Sequence, residues 1–294
     1  MVIIGNKSAQ LGNRLVVFAH FLANAMEYRY RLWNPAFREY AAYFQSTCQD
    51  LMPGHPPRRT CLGLLNPAPD ALFNLVTRLS WFCTSRRVAN SLVHVLNIQG
   101  AGDAVGRNYD LGSDEFRLLR ERTRFLIVQG WLFRDPVNLA RHADRIRKFF
   151  APIPLHAQNV DALIGRARAD CDVLVGLHIR QGDYKTWLGG RHYHDTATYV
   201  RLARSLVALW PGKRVKFLVC SNGPQDAALF RDIPFAMGSG HLVEDMYSFA
   251  QCDFLLGPPS TYTAWASFYG SVPLYVIERP VAPVSLDSFK VSAG

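Results

Sequence analysis

The stretch that most constrains the fold of this chain is residues 173–184, Val-Leu-Val-Gly-Leu-His-Ile-Arg-Gln-Gly-Asp-Tyr. It begins as a short apolar run with β-branched side chains, which is typical of a buried strand, and it turns polar at His178, Arg180, Gly182 and Asp183. In an open α/β sheet, ligands bind at the carboxyl ends of strands, and a planar guanidinium suits a phosphate. The stretch therefore predicts an anion site at a strand end, with Arg180 as the contact and Asp183 holding it. The alternative is a solvated turn with an internal Arg–Asp pair.

Along the rest of the chain, short apolar runs alternate with segments of helical periodicity. This alternation predicts an α/β fold with parallel sheets and crossover helices. The predicted strands are residues 2–5, 28–33, 125–128, 215–220, 241–243, 254–256 and 274–277, in addition to the strand that begins residues 173–184. The predicted helices are residues 15–26, 72–96, 136–150, 156–169, 196–210 and 263–269. Residues 53–69, rich in Pro and Gly, are predicted as a long loop near an acceptor, and residues 100–112 as turns.

Pro152 and Pro154 mark a predicted linker between two halves. The length of 294 residues suits two domains of ordinary size. We therefore predict an N-terminal Rossmann-like domain over residues 1–154 and a C-terminal Rossmann-like domain over residues 155–294.

The charge balance favours anionic partners, because 33 Lys+Arg residues face 23 Asp+Glu residues and the net charge is +10. The arginines are scattered and form no basic arm, which argues against nucleic acid as the partner but leaves peripheral contact with an anionic membrane open. The six cysteines form no C-x-x-C pair, and no apolar stretch is long enough to cross a bilayer. No signal peptide precedes the first apolar run, so the sequence predicts a cytoplasmic protein.

Several motifs of other enzyme classes are missing from the sequence. There is no G-x-x-x-x-G-K-[ST] phosphate loop and no G-x-G-x-x-G opening the first helix. Asp170 and Asp172 have the D-x-D spacing of metal-dependent glycosyltransferases, but they precede the strand instead of following it. His192 and His194 lack a third ligand at a recognised spacing, which is typical of surface histidines. The sequence therefore predicts no metal site.

The order of residues in the central stretch indicates a particular protein family, which its chemistry alone does not. His178-Ile-Arg180-Gln181-Gly-Asp183-Tyr resembles the His-x-Arg-Arg-x-Asp signature of the α1,2-, α1,6- and protein O-fucosyltransferase superfamily, and is closest to the form in bacterial α1,2-fucosyltransferases. The resemblance implies a GT-B fold, in which two Rossmann-like domains face a cleft. It also implies that Arg180 binds the β-phosphate of GDP-fucose. Gln181 stands where the second arginine is usual, as in some protein O-fucosyltransferases.

Three further segments carry the same resemblance. In residues 8–15, Gly12 and Asn13 match a glycine-rich loop of the superfamily, while Arg14 replaces its usual glutamine. Ser221 and Asn222 match the second motif, which contacts the base or ribose. Residues 244–266 resemble the third motif, whose matching positions are Asp245, Ser260, Thr261 and Trp265. The resemblance implies that Ser260 and Thr261 lie at the nucleotide phosphates and that Asp245 contacts the guanine or supports Arg180.

The resemblance implies an inverting, metal-independent transfer of L-fucose from GDP-fucose to a glycan or glycoconjugate hydroxyl, without a further cofactor. Arg180, His178, Asp183 and Asn13 are the predicted catalytic residues. The predicted donor-binding residues are Gly12, Arg180, Ser221, Asn222, Asp245, Ser260 and Thr261. The catalytic base stays open among Asp183, His178, Asp135 and the loop around Asn13. Two alternatives also stay open: a GT-B transferase that uses another sugar nucleotide, and a nucleotide-sugar-binding protein without turnover.

Overall fold

The structure is a computed structural model that describes residues 1–50, 53–57, 71–86, 89–98, 108–278 and 284–294. The chain divides into two compact units, Met1–Ile153 and Pro154–Gly294. No helix in the described ranges combines the length and apolar character that a membrane crossing requires.

The first unit contains seven strands and five helices among its described residues. In chain order they are β1 (Val2–Ile4), α1 (Leu11–Tyr28), β2 (Leu32–Trp33), β3 (Gly54–His55), α2 (Ala71–Ser85), β4 (Val93–Ile98), β5 (Tyr109–Asp110), α3 (Asp114–Arg122), β6 (Phe125–Gly130), β7 (Phe133–Arg134), α4 (Pro136–Arg141) and α5 (Ala143–Phe149). The main sheet has the order β3-β2-β1-β6-β4, in which only β3 is antiparallel to its neighbour. β5 and β7 form a separate parallel pair.

Helix α1 is the centre of the first unit's core. Fourteen of its eighteen residues are buried, because apolar side chains occupy more than one face of the helix. The ring of Phe18 packs edge-on against Phe37, Phe149 and Phe150 at centroid distances of 5.1–5.7 Å. These contacts attach the 3-10 helix Pro35–Tyr43 and the end of α5 to α1.

The second unit contains one five-stranded parallel sheet. Its elements are α6 (Pro154–Ala167), β8 (Val173–Ile179), α7 (Thr196–Val207), β9 (Val215–Ser221), β10 (Phe235–Met237), α8 (Leu242–Phe249), β11 (Phe254–Gly257), α9 (Thr261–Gly270) and β12 (Leu274–Val276). The strand order is β10-β9-β8-β11-β12, so the winding direction reverses beside β8. In such sheets the ligand crevice opens at the carboxyl ends of the strands on either side of the reversal, here β8 and β11.

Strand β8 is buried along its whole length, as its apolar run predicts. It pairs with β9 over seven residues and with β11 over three. A Cβ atom at Gly176 would lie 2.6 Å from side-chain carbons of both Leu255 and Phe249. Glycine is therefore required in the middle of this strand by the close approach of its neighbours.

The predicted α/β architecture with parallel sheets and crossover helices is confirmed by these two sheets. The predicted loop at 53–69 and the turns at 100–112 lie largely outside the described residues, which show β3 in the first and β5 in the second.

Four predicted elements differ from the structure. The predicted helix 72–96 ends at Ser85, and its last residues are β4, because their β-branched side chains pair with β6. The predicted strand 241–243 is the start of α8, and the strand of this region is β10 at 235–237. The predicted strand 28–33 is confined to β2, since α1 continues to Tyr28. The predicted helix 136–150 is divided at His142 into α4 and α5.

Candidate functional site

The carboxyl end of β8 carries an arginine whose orientation is fixed by a carboxylate. Arg180 donates from Nε to Asp183 Oδ1 and from Nη2 to Asp183 Oδ2, each at 2.9 Å. Asp183 belongs to the 3-10 helix Gly182–Lys185, which follows directly after the strand and Arg180. The Arg180 side chain is 16% exposed and that of Asp183 is 57% exposed. The pair therefore presents a preorganised guanidinium at the strand end. We call residues 180–185 the arginine loop.

Asn222, at the end of the neighbouring β9, fastens the arginine loop. Its Oδ1 accepts a hydrogen bond from the Gln181 backbone N–H at 2.9 Å. A Cβ atom at Gly182 would lie 2.7 Å from Asn222 Nδ2, so glycine lets the amide approach the loop backbone. The sequence predicted Asn222 as a base or ribose contact. In the structure its side-chain oxygen Oδ1 positions the arginine loop. Contact of Asn222 with the base or ribose stays a prediction.

Gln181 belongs to a closed ring of hydrogen bonds beside the arginine loop. Its Nε2 donates to Thr196 Oγ1 and to the His194 carbonyl, both at 3.2 Å. Thr196 Oγ1 donates to Gln225 Oε1 at 2.8 Å, and Gln225 Nε2 donates back to Gln181 Oε1 at 3.2 Å and to Ser221 Oγ at 3.1 Å. Arginine has no acceptor atom and could not receive the Gln225 N–H. The glutamine is thus matched to its neighbours and adds no charge.

Ser260 and Thr261 lie at the end of the other strand beside the reversal. Ser260 is the N-cap of α9, and its Oγ accepts from the Tyr262 N–H at 3.2 Å; Thr261 is the first helical residue. The Tyr184 hydroxyl donates to the Pro259 carbonyl and so joins the arginine loop to the segment before α9. A helix N-terminus favours anions, so both sides of this edge suit a phosphate.

His178 is buried beneath the arginine loop with 4% exposure. Its ring centroid lies 5.2 Å from that of Tyr262 and 6.0 Å from that of Phe249. Its Nδ1 has no hydrogen-bond partner among the described residues. Burial, and secondarily the charge of Arg180, lower the pKa of His178 to about 3. The imidazole is therefore neutral at pH 7 and too weak a base to take a proton efficiently.

The low pKa of His178 makes stability depend on pH. The unfolded chain takes up the proton near the ordinary pKa of 6.5, whereas the folded chain does so only near 3. The free energy of unfolding is thus unaffected by the protonation of His178 above pH 6.5, and it decreases as the pH falls from 6.5 towards 3. We expect wild type to lose up to about 1.4 kcal/mol per pH unit more than His178→Gln in this window. Urea unfolding of both proteins at pH 7 and pH 5 measures this, and parallel losses would contradict it.

The carboxylate of Asp245 accepts hydrogen bonds from the turn that follows β10. Its Oδ1 accepts from the Ser239 N–H at 2.6 Å and from Ser239 Oγ at 3.0 Å, and its Oδ2 accepts from the Gly240 N–H at 3.1 Å. Burial raises the pKa of Asp245. A Cβ atom at Gly238 would lie 2.7 Å from Oδ1. The carboxylate therefore organises residues 238–240, and its predicted contact with guanine or Arg180 stays a prediction.

Asp170 and Asp172, the D-x-D pair, lie at the amino end of β8, opposite the strand end that carries the arginine loop. Asp172 accepts from Arg214 Nε at 3.2 Å and from Nη2 at 2.9 Å, and these contacts lower the pKa of Asp172 to about 2. Asp170 lies 3.6 Å from Arg214 Nη1. The two carboxylates are ion-pair partners of one arginine, at the strand end far from the arginine loop.

The prediction of surface histidines is wrong for His194. His194 is 7% exposed and packs edge-on against Tyr199 at a centroid distance of 5.9 Å. His192 stacks on Trp187 at 5.6 Å. Both rings are used in packing around the segment before α7, which a spacing rule for metal ligands does not detect.

Gly12 and Asn13 occupy the first turn of α1, after β1, and so belong to the first unit. The neighbouring Arg14 is 9% exposed and is bound to its own unit. It donates to Glu39 Oε2 at 2.9 Å and to the Ala36 carbonyl at 3.1 Å. Where the resembling enzymes have glutamine, this chain thus has an arginine with a structural role.

Asp135, one of the alternatives for the base, is a structural carboxylate of the first unit. It caps α4 by accepting from the Asn138 N–H at 3.0 Å. Its Oδ2 accepts from Asn24 Nδ2 at 2.7 Å and from Asn138 Nδ2 at 2.8 Å, and the residue is 2% exposed. These contacts fit a helix cap better than a proton acceptor.

Sequence reasoning missed Gln225, Thr196 and Tyr199 around the arginine loop. Tyr199 contributes a hydroxyl that accepts from the Arg180 N–H at 3.5 Å. Gln225 lies 44 positions from Gln181 and follows no recognisable motif. No local signal marks these residues, because their contacts exist only once β8, α7 and β9 are packed together.

No protein-family profile and no curated protein sequence matches this chain. Solved structures do match it. A mutant of Arabidopsis thaliana FUT1 in complex with GDP is 15% identical with a TM-score of 0.60, over 98% of this chain and 73% of that one. Fucosyltransferase NodZ from Bradyrhizobium is 17% identical with a TM-score of 0.55, over 96% of each chain. POFUT1 in complex with GDP-fucose is 9% identical with a TM-score of 0.50, over 92% of this chain and 94% of that one.

This chain has the fold of the fucosyltransferases. The fucosyltransferase fold extends through both units, since the matches cover nearly the whole chain. It places the arginine loop and the start of α9 on the strands beside the reversal of the second sheet, where α/β folds hold their ligands. The predicted resemblance is thus confirmed at the level of the fold.

Proposed function

We propose that this protein transfers L-fucose from GDP-fucose to a hydroxyl group of a glycan or glycoconjugate. The observation that carries the proposal is the Arg180–Asp183 pair at the carboxyl end of β8. This pair lies beside the reversal of a sheet in a fold that it shares with fucosyltransferases solved with GDP and GDP-fucose. An arginine fixed by a carboxylate, next to a helix N-terminus, is suited to a diphosphate.

In the proposed reaction the acceptor hydroxyl attacks the anomeric carbon of fucose from the face opposite GDP. The bond from that carbon to the β-phosphate oxygen breaks, GDP leaves with the electron pair, and the acceptor proton passes to a base. The configuration at the anomeric carbon is inverted. Negative charge grows on the β-phosphate in the transition state, so a preorganised guanidinium lowers the barrier.

The second unit divides this work among a few residues. Arg180 contacts the leaving phosphate, and Asp183 and Asn222 position it through the contacts at 2.9 Å. Ser260 and Thr261 add the N-terminus of α9. His178, with its pKa of about 3, supports the loop as a neutral packing residue and is a poor proton acceptor. In the proposed mechanism, the main catalytic effect is therefore stabilisation of the negative charge on the leaving GDP.

The donor is tested by thermal unfolding with nucleotides. We expect GDP and GDP-fucose to raise Tm, because a ligand that binds only the folded state stabilises it by about 2.7 kcal/mol at a hundred times its Kd. UDP, ADP and their sugar conjugates are the matched controls and should give smaller shifts. Equal shifts with all three nucleotides, or no shift with any, would remove the guanine-specific part of the proposal.

A nucleotide-sugar-binding protein without turnover is the second candidate. The closed hydrogen-bond ring of Gln181 favours it, because a neutral amide stands where a second arginine is usual in the resembling enzymes. Release of GDP from GDP-fucose separates the two candidates. An enzyme releases GDP slowly even to water and faster with an acceptor, whereas a binding protein releases none.

We also propose that transfer needs no metal ion. Arg180 supplies a positive charge at the proposed phosphate site, and Asp170 and Asp172 are bound to Arg214 instead of facing it. We expect an excess of EDTA to leave the turnover rate unchanged. A loss that Mn²⁺ or Mg²⁺ restores would instead require oxygen ligands for a divalent cation in the active enzyme.

A further inference from the structure

The first unit contains a cavity of about 710 Å³ that the proposed reaction does not use. It lies where α1 ends and β2 begins, at the amino edge of the first unit's main sheet. Its lining comes from α1, β3, α5 and the segments next to them: Met26, Glu27, Arg29, Tyr30, Arg31, His55, Pro56, His142 and Arg145. We call it the arginine cavity. Its volume is in the range of ordinary ligand sites.

Three exposed arginines line the arginine cavity, and none of them has a carboxylate partner among the described residues. Within the described part of the chain, no aspartate or glutamate lies within ion-pair distance of Arg29, Arg31 or Arg145. Glu27 is the one carboxylate in the described lining. It is already bound by Arg141 and by His142, whose Nε2 lies 2.9 Å from Glu27 Oε2. The acidic group is thus neutralised within the protein, and the three arginines are not.

The end of α1 does not balance this charge. A helix C-terminus carries roughly half a negative charge, against three full positive charges on Arg29, Arg31 and Arg145. The positive field also acts on His55, since burial and then Arg145 lower its pKa. The Nδ1 atom of His55 is buried without a hydrogen-bond partner among the described residues. A cavity lined by three positive charges and a buried polar atom without a partner favours the binding of an anion.

We propose that the arginine cavity binds a ligand through a phosphate or diphosphate group. Tetrahedral phosphate presents several oxygens at once, and each arginine fork can donate two hydrogen bonds to a pair of them. Three arginines lining one cavity match a multiply charged oxyanion better than a single carboxylate. Met26, Tyr30 and Pro56 add apolar surface for the rest of the ligand. The residues involved all belong to the first unit, so the inference does not depend on the proposed transferase activity.

The test is calorimetric titration with inorganic pyrophosphate at physiological salt. It is carried out in an Arg180→Ala background, so that the arginine loop does not contribute to the signal. We expect Arg31→Ser combined with Arg145→Ser to weaken binding by roughly tenfold or more, since each removes a charge-assisted hydrogen bond. Arg122→Ser, on the exposed last turn of α3, is the matched control and should bind as the background does. Because Arg145 is exposed, Arg145→Gln alone serves if the double variant does not fold.

A parallel arm identifies the source of the phosphate. Vesicles of phosphatidylcholine with and without phosphatidylglycerol are sedimented with the same variants. Binding of pyrophosphate that requires Arg31 and Arg145 supports a soluble phosphate ligand. Sedimentation with phosphatidylglycerol vesicles alone, with the same requirement, supports a lipid headgroup. The proposal is overturned if the Arg180→Ala protein with an unchanged cavity binds neither pyrophosphate at about 10 mM nor vesicles. It is also overturned if adding Arg31→Ser and Arg145→Ser leaves the binding unchanged.

Discussion

Arg180→Lys is expected to lower kcat by about 10²–10³, the usual loss when one preorganised donor to a developing charge is removed. Lysine keeps the charge but loses the planar fork that the structure fixes with two hydrogen bonds to Asp183. Arg180→Ala should fall at least as far. The fold should remain intact, because the side chain lies at the end of β8 and outside its buried run.

The measurement is GDP release from GDP-fucose under saturating donor, together with Tm of each variant. Arg191→Lys is the matched control, since this exposed arginine follows the arginine loop and its Nε donates to the neighbouring His192 at 3.2 Å. A folded Arg180→Lys protein with near-native kcat would remove Arg180 from the mechanism. A lowered Tm with unchanged kcat would show that the Arg180–Asp183 pair is a stability feature alone.

Trp265→Ala is expected to destabilise the second unit by about 3–5 kcal/mol, as large-to-small changes in a core do. Trp265 is completely buried in α9. Its ring lies 5.6 Å from Phe268 and 6.3 Å from Tyr269, centroid to centroid. Few neighbours can move into the space of an indole, because α9 packs directly against α8 and the sheet.

Urea unfolding followed by circular dichroism measures this loss. The matched control is Trp187→Ala, which removes an indole that is 44% exposed and should cost no more than about 1 kcal/mol. Equal losses for the two variants would mean that burial of Trp265 does not set its contribution.

The sequence was sufficient for the features that depend on neighbouring residues. The short apolar run that begins residues 173–184 lies in β8, which is buried throughout, so its pattern alone identified a buried strand. The Arg180–Asp183 pair joins positions three apart, and a short turn brings such positions together in almost any fold. The alternation of strands and helices was likewise sufficient for two sheets that are parallel except for β3.

Local patterns failed where two structures fit the same residues. Residues 93–96 are mostly apolar and were predicted as the end of the helix that contains α2, but pairing with β6 makes them a strand. His241 and the residues after it read as a strand, yet the His241 ring accepts the Val243 N–H at 3.3 Å and begins α8. In both cases a partner distant in the sequence, or a cap not typical of helix starts, decided the outcome.

The support of the arginine loop was decided by tertiary structure alone. Asn222 reaches Gln181 across 41 positions, and Gln225 reaches it across 44. The three arginines of the cavity come from the end of α1, the start of β2 and α5. Sequence reports the chemistry of each side chain and of its near neighbours. Which distant side chains share a site depends on how strands pair and helices pack, because those contacts join positions that no local pattern connects.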